Sequence, residues 1–318
     1  MLLVSLGTTA GLRAADAELA ASLERGGASV QTARTAPPPS LRTMALGDLF
    51  LARAARRAAA EALAAHRPRA VVYSTTTAAL LWPVPGAIRF DAPSAGNRPG
   101  RHGIWQRRVE RTRLREASVL LPWSEGGLEE APQPRAEALV LPVPAEPSGP
   151  AASERDIAAI AYGANPEKKG LDRVLAAWER ARRPGERLLV AGAREPVGAG
   201  GVESVPLLDD SAYRALLRRA RVFVTAPRRE DYGIVQLEAL ADGCALVTTA
   251  APGPYAALPI ARKLDERLVG DDLAAGLRAA LDEPRPGYAE AARAALAPYS
   301  RAAVDELVAE RLLPRLLG

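Results

Sequence analysis

The sequence predicts an α/β protein made of two consecutive doubly wound, Rossmann-like units. Three observations lead there. Short β-rich runs alternate with Ala-rich stretches of helical period through the first half of the chain, the pattern of a parallel sheet with crossover helices. Pro142, Pro144, Pro147 and Pro150 then crowd a segment that can continue neither a helix nor a central strand, which marks a boundary. The same alternation resumes beyond it. A chain of 318 residues has room for two such cores.

In order, the first half reads as strands over 2–6, 70–73, 87–90, 119–122 and 138–141. Helices over 14–25, 46–65 and 103–117 lie between them. The second half reads as strands over 157–162, 187–191, 202–206, 222–225 and 245–248. Its helices are expected over 170–182, 211–220, 235–241, 253–261 and 271–281, with a last helical stretch over 288–318. The expected divisions are 1–147, 148–297 and a terminal helix over 298–318. Ligands of such sheets bind at the C-terminal ends of the strands.

Composition narrows the function classes. Hydrophobic residues make up 48% of the chain and aromatics only 4%, so the cores are packed with Ala, Leu and Val. The net charge of +5 suits an acidic partner, but no basic motif interleaved with aromatics points to nucleic acid. The lone cysteine, Cys244, excludes an intramolecular disulfide and a Cys-based zinc site, and its place at a strand start reads as a structural thiol. His66 and His102 are too few for a His-rich metal site. The apolar start at Met1 lacks a basic flank and reads as a strand rather than a leader. No apolar run approaches the ~18 residues of a membrane span, so a cytoplasmic protein is expected.

The chemistry concentrates between Ala226 and Gly243. Glu230 follows a strand and precedes a helix, and Glu238 lies inside that helix on an otherwise apolar face. Gly233 lets the backbone approach a ligand and opens the helix at Ile234 and Val235, where free amides favour phosphate. A carboxylate that accepts from two vicinal hydroxyls is a standard way to hold a ribose. The plain alternative is two solvated glutamates on a helix. A second anion cradle at 249–253, with Gly253 ahead of a helix, stands beside the reading of a plain loop.

This spacing, Glu–seven residues–Glu followed by Gly and an apolar strand, resembles the retaining GT-B glycosyltransferases of family 4. The resemblance extends over the second half. It includes Tyr162-Gly163-Ala164-Asn165-Pro166-Glu167-Lys168-Lys169-Gly170-Leu171-Asp172, the run Leu188-Leu189-Val190-Ala191-Gly192-Ala193, and the final helix after Pro298-Tyr299-Ser300. It implies a GT-B fold in which the terminal helix crosses back to an acceptor-side first domain. It implies transfer of a sugar from a nucleotide-diphosphate donor, with retention. By position it implies that Glu238 holds the ribose, Glu230 lies by the transferred sugar, and Lys169 neutralises the diphosphate. Gly233, Ile234 and Val235 would meet the distal phosphate and sugar, and backbone near Leu207 would read the base. Gly7 and Thr8, after the first strand, would approach the acceptor or the diphosphate.

Two departures qualify the match. The family commonly has an arginine at Ala164, a charge that Lys168 or an arginine of the first domain would have to replace. It often has a histidine where the third or fourth strand of the first domain ends. Here Asp91 stands there, either holding a sugar hydroxyl or serving as a loop Asp before Pro93. With no Asp-rich divalent motif, no required metal and no cofactor are expected. The acceptor is open: a small molecule, a glycan or a lipid-linked sugar. No protein partner is evident. Arg98, Arg101, Arg107, Arg108, Arg111, Arg113 and Arg115 form either a peripheral patch for anionic lipid or a solvated helix face. Two other functions share the architecture: a non-catalytic nucleotide-sugar-binding module and a sugar phosphorylase.

Overall fold

The computed structural model describes residues 1–35, 43–152, 154–193, 198 and 200–318, with the backbone alone at His102. The chain forms two compact units, Met1–Pro144 with Arg301–Gly318, and Ala145–Ser300.

The first unit contains β1 (Leu2–Ser5), α1 (Ala10–Arg25), β2 (Gln31–Arg34), α2 (Met44–His66), β3 (Val71–Tyr73) and α3 (Thr76–Ala79). It continues with β4 (Ala87–Phe90), α4 (Ser94–Asn97), α5 (Ile104–Glu116), β5 (Leu120–Pro122) and α6 (Glu125–Glu130). The strands are parallel in the order β2-β1-β3-β4-β5. Because side chains alternate across a strand, Leu2 and Val4 face α2, whose Ala55, Ala59 and Ala62 let the helix lie close. Leu3 faces the opposite layer, with Leu19 and Leu23 of α1. That layer is completed by Val304, Val308, Leu312 and Leu313 from the end of the chain. There the carboxylate of Asp305 accepts from Ser22 Oγ at 2.5 Å and Arg25 Nε at 2.6 Å.

The second unit contains β6 (Ile157–Tyr162), α7 (Pro166–Lys169), α8 (Leu171–Ala181), β7 (Leu188–Ala191), β8 (Val202–Val205) and α9 (Asp210–Arg219). Then come β9 (Ala220–Thr225), α10 (Ile234–Ala241), β10 (Ala245–Thr248), α11 (Ala257–Leu264), α12 (Leu273–Asp282) and α13 (Tyr288–Ala295). Its parallel sheet runs β10-β9-β6-β7-β8. Leu171, Val174, Ala177, Trp178 and Ala181 form the buried stripe of α8 at helical spacing. Cys244 is buried, its thiol donates to the Leu217 carbonyl at 3.1 Å, and burial pushes it up to about 12. Among the described residues, no helix is long and apolar enough to cross a membrane.

The strand β2 and the short helices α3, α4, α6 and α7 were not expected, the helical stretch expected over 288–318 is divided, and two expected elements change. The edge strand β2 has no apolar alternation, because its residues are only partly buried. The segment 138–141 makes a single bridge to Leu120 instead of a strand. Leu139 and Leu141 donate to the Leu120 and Pro122 carbonyls at 2.8 Å each, but Pro122 has no N–H with which to continue the ladder. The helix expected from 253 starts at Ala257, since Gly253 has a left-handed φ of +108°.

In each sheet the connections diverge on either side of one strand, β1 in the first and β6 in the second, so each has a crevice at its C-terminal edge. In the second unit that crevice is bounded by the loops after β6 and β9. They meet at Gly170, which has φ +63° and would carry a Cβ 1.9 Å from the Ala226 carbonyl oxygen. Gly170→Ala is expected to cost about 2–4 kcal/mol through strain and displacement of that loop. Denaturant unfolding checks this, and an unchanged midpoint would mean that the two loops are not held together there.

Candidate functional site

The loop after β6 is shaped by caps. Asn165 Oδ1 accepts from the Lys168 N–H at 3.2 Å, Pro166 opens the single turn of α7, and Gly170 ends it. The turn brings two lysines toward the loop after β9, whose Arg228 N–H bonds the Lys168 carbonyl at 3.0 Å. Lys169 Nζ then donates to Glu230 Oε2 at 2.6 Å, and Lys168 Nζ to Asp231 Oδ2 at 2.9 Å.

Glu230 is 4% exposed. Its Oε2 also accepts from Gln236 Nε2 at 2.8 Å, and its N–H donates to the Pro252 carbonyl at 3.0 Å. Burial raises the Asp231 carboxyl, but Lys168 and Arg229 outweigh it and hold the group below the ordinary range. Gly233, at φ +92°, would carry a Cβ 3.0 Å from the Tyr255 ring. The first intrahelical bond of α10 runs from the Leu237 N–H to the Gly233 carbonyl at 3.1 Å. The amides of Ile234, Val235 and Gln236 therefore have no acceptor within the helix.

Glu238 lies one turn further along α10, its side chain 18% exposed. It accepts no hydrogen bond from the described residues. Its nearest cation is Arg214 of α9, with Nη1 at 3.8 Å. That guanidinium is committed elsewhere: Nε donates to Asp242 Oδ2 at 2.6 Å and Nη2 to the Glu146 carbonyl at 2.7 Å. Burial pushes the Glu238 carboxyl up to about 7, with Arg214 opposing and Asp210 and Asp242 adding to the rise. Tyr162 and Tyr213 stand nearby with ring centroids 5.6 Å apart, and both phenols are raised by burial and by the Glu238 charge. Leu207, on the loop between β8 and α9, is 71% exposed.

The structure thus joins Lys169 to Glu230 and Lys168 to Asp231, and sets Glu238 further along the helix that Gly233 opens. Gly253 is not a helix start. Its Cβ would lie 2.3 Å from the Glu230 carbonyl oxygen, so its backbone packs against the acidic loop. Gly7, Thr8 and Asp91 belong to the first unit. Gly7 has φ +54° and its carbonyl accepts from Arg13 Nη1 at 2.9 Å, while Asp91 Oδ1 accepts from the Ala92 N–H at 2.8 Å. The side chain of His102 lies outside the described residues.

Sequence reasoning missed Asp231, Gln236 and Arg214. It also missed a buried pair at the equivalent edge of the first unit. There Asp16 faces Arg89 at 3.5 Å, accepts from Ser5, and is raised by burial against the Arg89 charge. Arg89 in turn lies 4.7 Å from the Trp123 ring centre. Arg214 and Arg89 are single members of a chain with 42 basic residues, and nothing local distinguishes them. Among the described residues, no group of three His, Cys, Asp or Glu could hold a metal ion.

Residues 155–283 match the family described as glycosyl transferases group 1. No curated protein sequence matches the chain. Solved structures do. WaaG, a glycosyltransferase involved in lipopolysaccharide biosynthesis, is 17% identical over 98% of this chain and 99% of its own, with a TM-score of 0.69. Sucrose-phosphate synthase from Thermosynechococcus elongatus is 15% identical over 99% and 98%, with a TM-score of 0.76. Anabaena Alr3699/HepE, solved with UDP and glucose, is 13% identical over 98% of each chain, with a TM-score of 0.69. The fold is GT-B.

The state of Glu238 has a consequence for stability. A carboxyl raised from 4.5 to about 7 in the folded chain favours folding fully below pH 4.5, and that contribution is lost as pH rises through 7. Glu238→Gln, which stays neutral, should therefore gain stability relative to wild type with rising pH, on the order of 3 kcal/mol by pH ~8. Thermal unfolding across this range measures the gap. A gap independent of pH would mean that Glu238 titrates as an ordinary surface carboxyl.

Proposed function

We propose that this chain, a glycosyltransferase of group 1 by the match of its residues 155–283, moves a hexose-type sugar from a nucleotide-diphosphate donor, with retention and without a metal. The observation that carries the reading is Glu238. A nearly buried carboxyl that accepts no hydrogen bond from the described residues, on a helix whose open amides follow the loop that Lys168 and Lys169 bind, is a site that a ligand's hydroxyls complete.

The roles follow from position. Glu238 accepts from the ribose hydroxyls, and the loop around Leu207 offers backbone to the base and an exposed apolar side chain against its face. The amides of Ile234 and Val235, freed by Gly233, point at the distal phosphate. Lys169 neutralises the diphosphate, and Lys168 supplies the charge that Ala164 cannot. Glu230 holds Lys169 before the donor arrives, so phosphate and carboxylate compete for one ammonium. After exchange Glu230 is free to accept a hydroxyl of the transferred sugar. The leaving diphosphate gains negative charge as the glycosidic bond breaks, and pre-positioned cations and amides stabilise that charge where it develops. The acceptor attacks on the face from which the diphosphate leaves. Gly7, Thr8 and Asp91 of the first unit are assigned to the acceptor side.

Thermal shift with a panel of nucleoside-diphosphate sugars tests the reading. A donor at ~100 times its dissociation constant should stabilise the chain by ~2.7 kcal/mol. Glu238→Ala should weaken that donor by ~1.5–3 kcal/mol. Lys169→Ala should lower transfer ~100-fold or more, whereas EDTA should leave it unchanged. A full donor shift in Glu238→Ala would defeat the ribose assignment. Donor binding without release of nucleoside diphosphate would indicate a binding module, and dependence on inorganic phosphate a phosphorylase.

A further inference from the structure

We propose that the outer ends of α2 and α5 form a docking surface for an anionic lipid bilayer. Among the described residues, Met44, Leu46, Phe50, Ile104 and Leu207 are the exposed large apolar side chains, and all but Leu207 lie here, at 60, 53, 40 and 54% exposure. Leu46, Phe50, Arg53 and Arg57 are exposed at steps of four, three and four along α2, which places them on one stripe. Ile104, Arg108, Arg111 and Arg115 are exposed at steps of four, three and four along α5, with Arg101 one turn ahead. In both helices apolar residues come first and arginines follow. The start of α2 is tied to the segment ahead of α5: Arg98 donates to Asp48 through Nε at 2.8 Å and Nη2 at 3.2 Å. The short turn Arg101–Gly103 also packs against α2.

The charge on this face is uncompensated, and it is gathered on two adjacent helices behind the apolar cluster. Arg183 is paired with Asp282, Arg219 with Asp156, Arg267 with Asp265 and Arg278 with Glu186. By contrast, Arg53, Arg57, Arg101, Arg108, Arg111 and Arg115 make no ion pair with the described residues. The nearby acids are already engaged or distant. Asp48 holds Arg98, Glu110 is buried and accepts from Ser94, Glu116 holds Arg113, and Glu61 lies toward the far end of α2. A cluster of apolar side chains backed by unpaired arginines is complementary to a bilayer, where the apolar groups enter below the headgroups and the guanidinium groups meet phosphate. Helices of a parallel α/β layer begin at the C-terminal edge of the strands. The surface therefore adjoins the edge that carries Gly7, Thr8 and Asp91, which would bring an acceptor with a lipid tail beside the residues assigned to it.

Co-sedimentation of the full chain with phosphatidylcholine vesicles, with and without phosphatidylglycerol, tests the proposal independently of sugar transfer. Binding should require phosphatidylglycerol and weaken as salt rises. Arg108→Glu with Arg111→Glu should reduce partition by about fivefold or more for each arginine removed. Phe50→Ser with Ile104→Ser should reduce it without altering the salt dependence. Unfolding midpoints of the variants, together with the salt series on wild type, keep the result interpretable if a variant folds poorly. Equal partition of the reversed and wild-type chains would overturn the proposal. So would indifference to phosphatidylglycerol, or retention of duplex DNA by these arginines in place of vesicles.

Discussion

The close approach of Gly170 to the Ala226 carbonyl sets the geometry on which the candidate site depends. Any side chain at that position would push apart the loops after β6 and β9. With the loops in contact, one turn of helix brings Lys168 and Lys169 within bonding distance of Asp231 and Glu230. Gly253 repeats the device on the other side, packing its bare backbone against the carbonyl of Glu230. The acidic loop is held between two glycines.

The buried charges of the chain fall into two kinds. Lys169 with Glu230, and Asp16 with Arg89, are paired and largely removed from water, so each charge offsets the desolvation of its partner. Glu238 has only partial relief. Arg214 is near enough to be felt but is committed to Asp242 and Glu146, and the carboxyl remains costly to ionise. A carboxyl that is costly to ionise in this way is a candidate for a functional group.

Much of this was legible in the sequence because the relevant signals are local. Strand–helix alternation and the proline cluster foretold two parallel sheets, and the run from Glu230 to Glu238 foretold a glycine-opened helix after a strand. Other features depend on partners far along the chain. Arg214 lies 24 residues from Glu238, and Arg89 lies 73 from Asp16, so neither pairing has a local signature. β2 hides because an edge strand need not bury alternate residues. The segment 138–141 has strand composition but meets a proline where its neighbour should donate. The helix expected at Gly253 gave way to a close backbone contact, which a Pro-Gly-Pro run does not distinguish from a helix start.

The return of residues 301–318 to the first unit also orders events in time. Synthesis runs from the N-terminus, so the stretch 145–300 can emerge and close its own sheet while the first unit still lacks a wall. Until Val304, Val308, Leu312 and Leu313 leave the ribosome, Leu3, Leu19 and Leu23 keep an uncovered apolar flank. The element that starts first is therefore the one that finishes last.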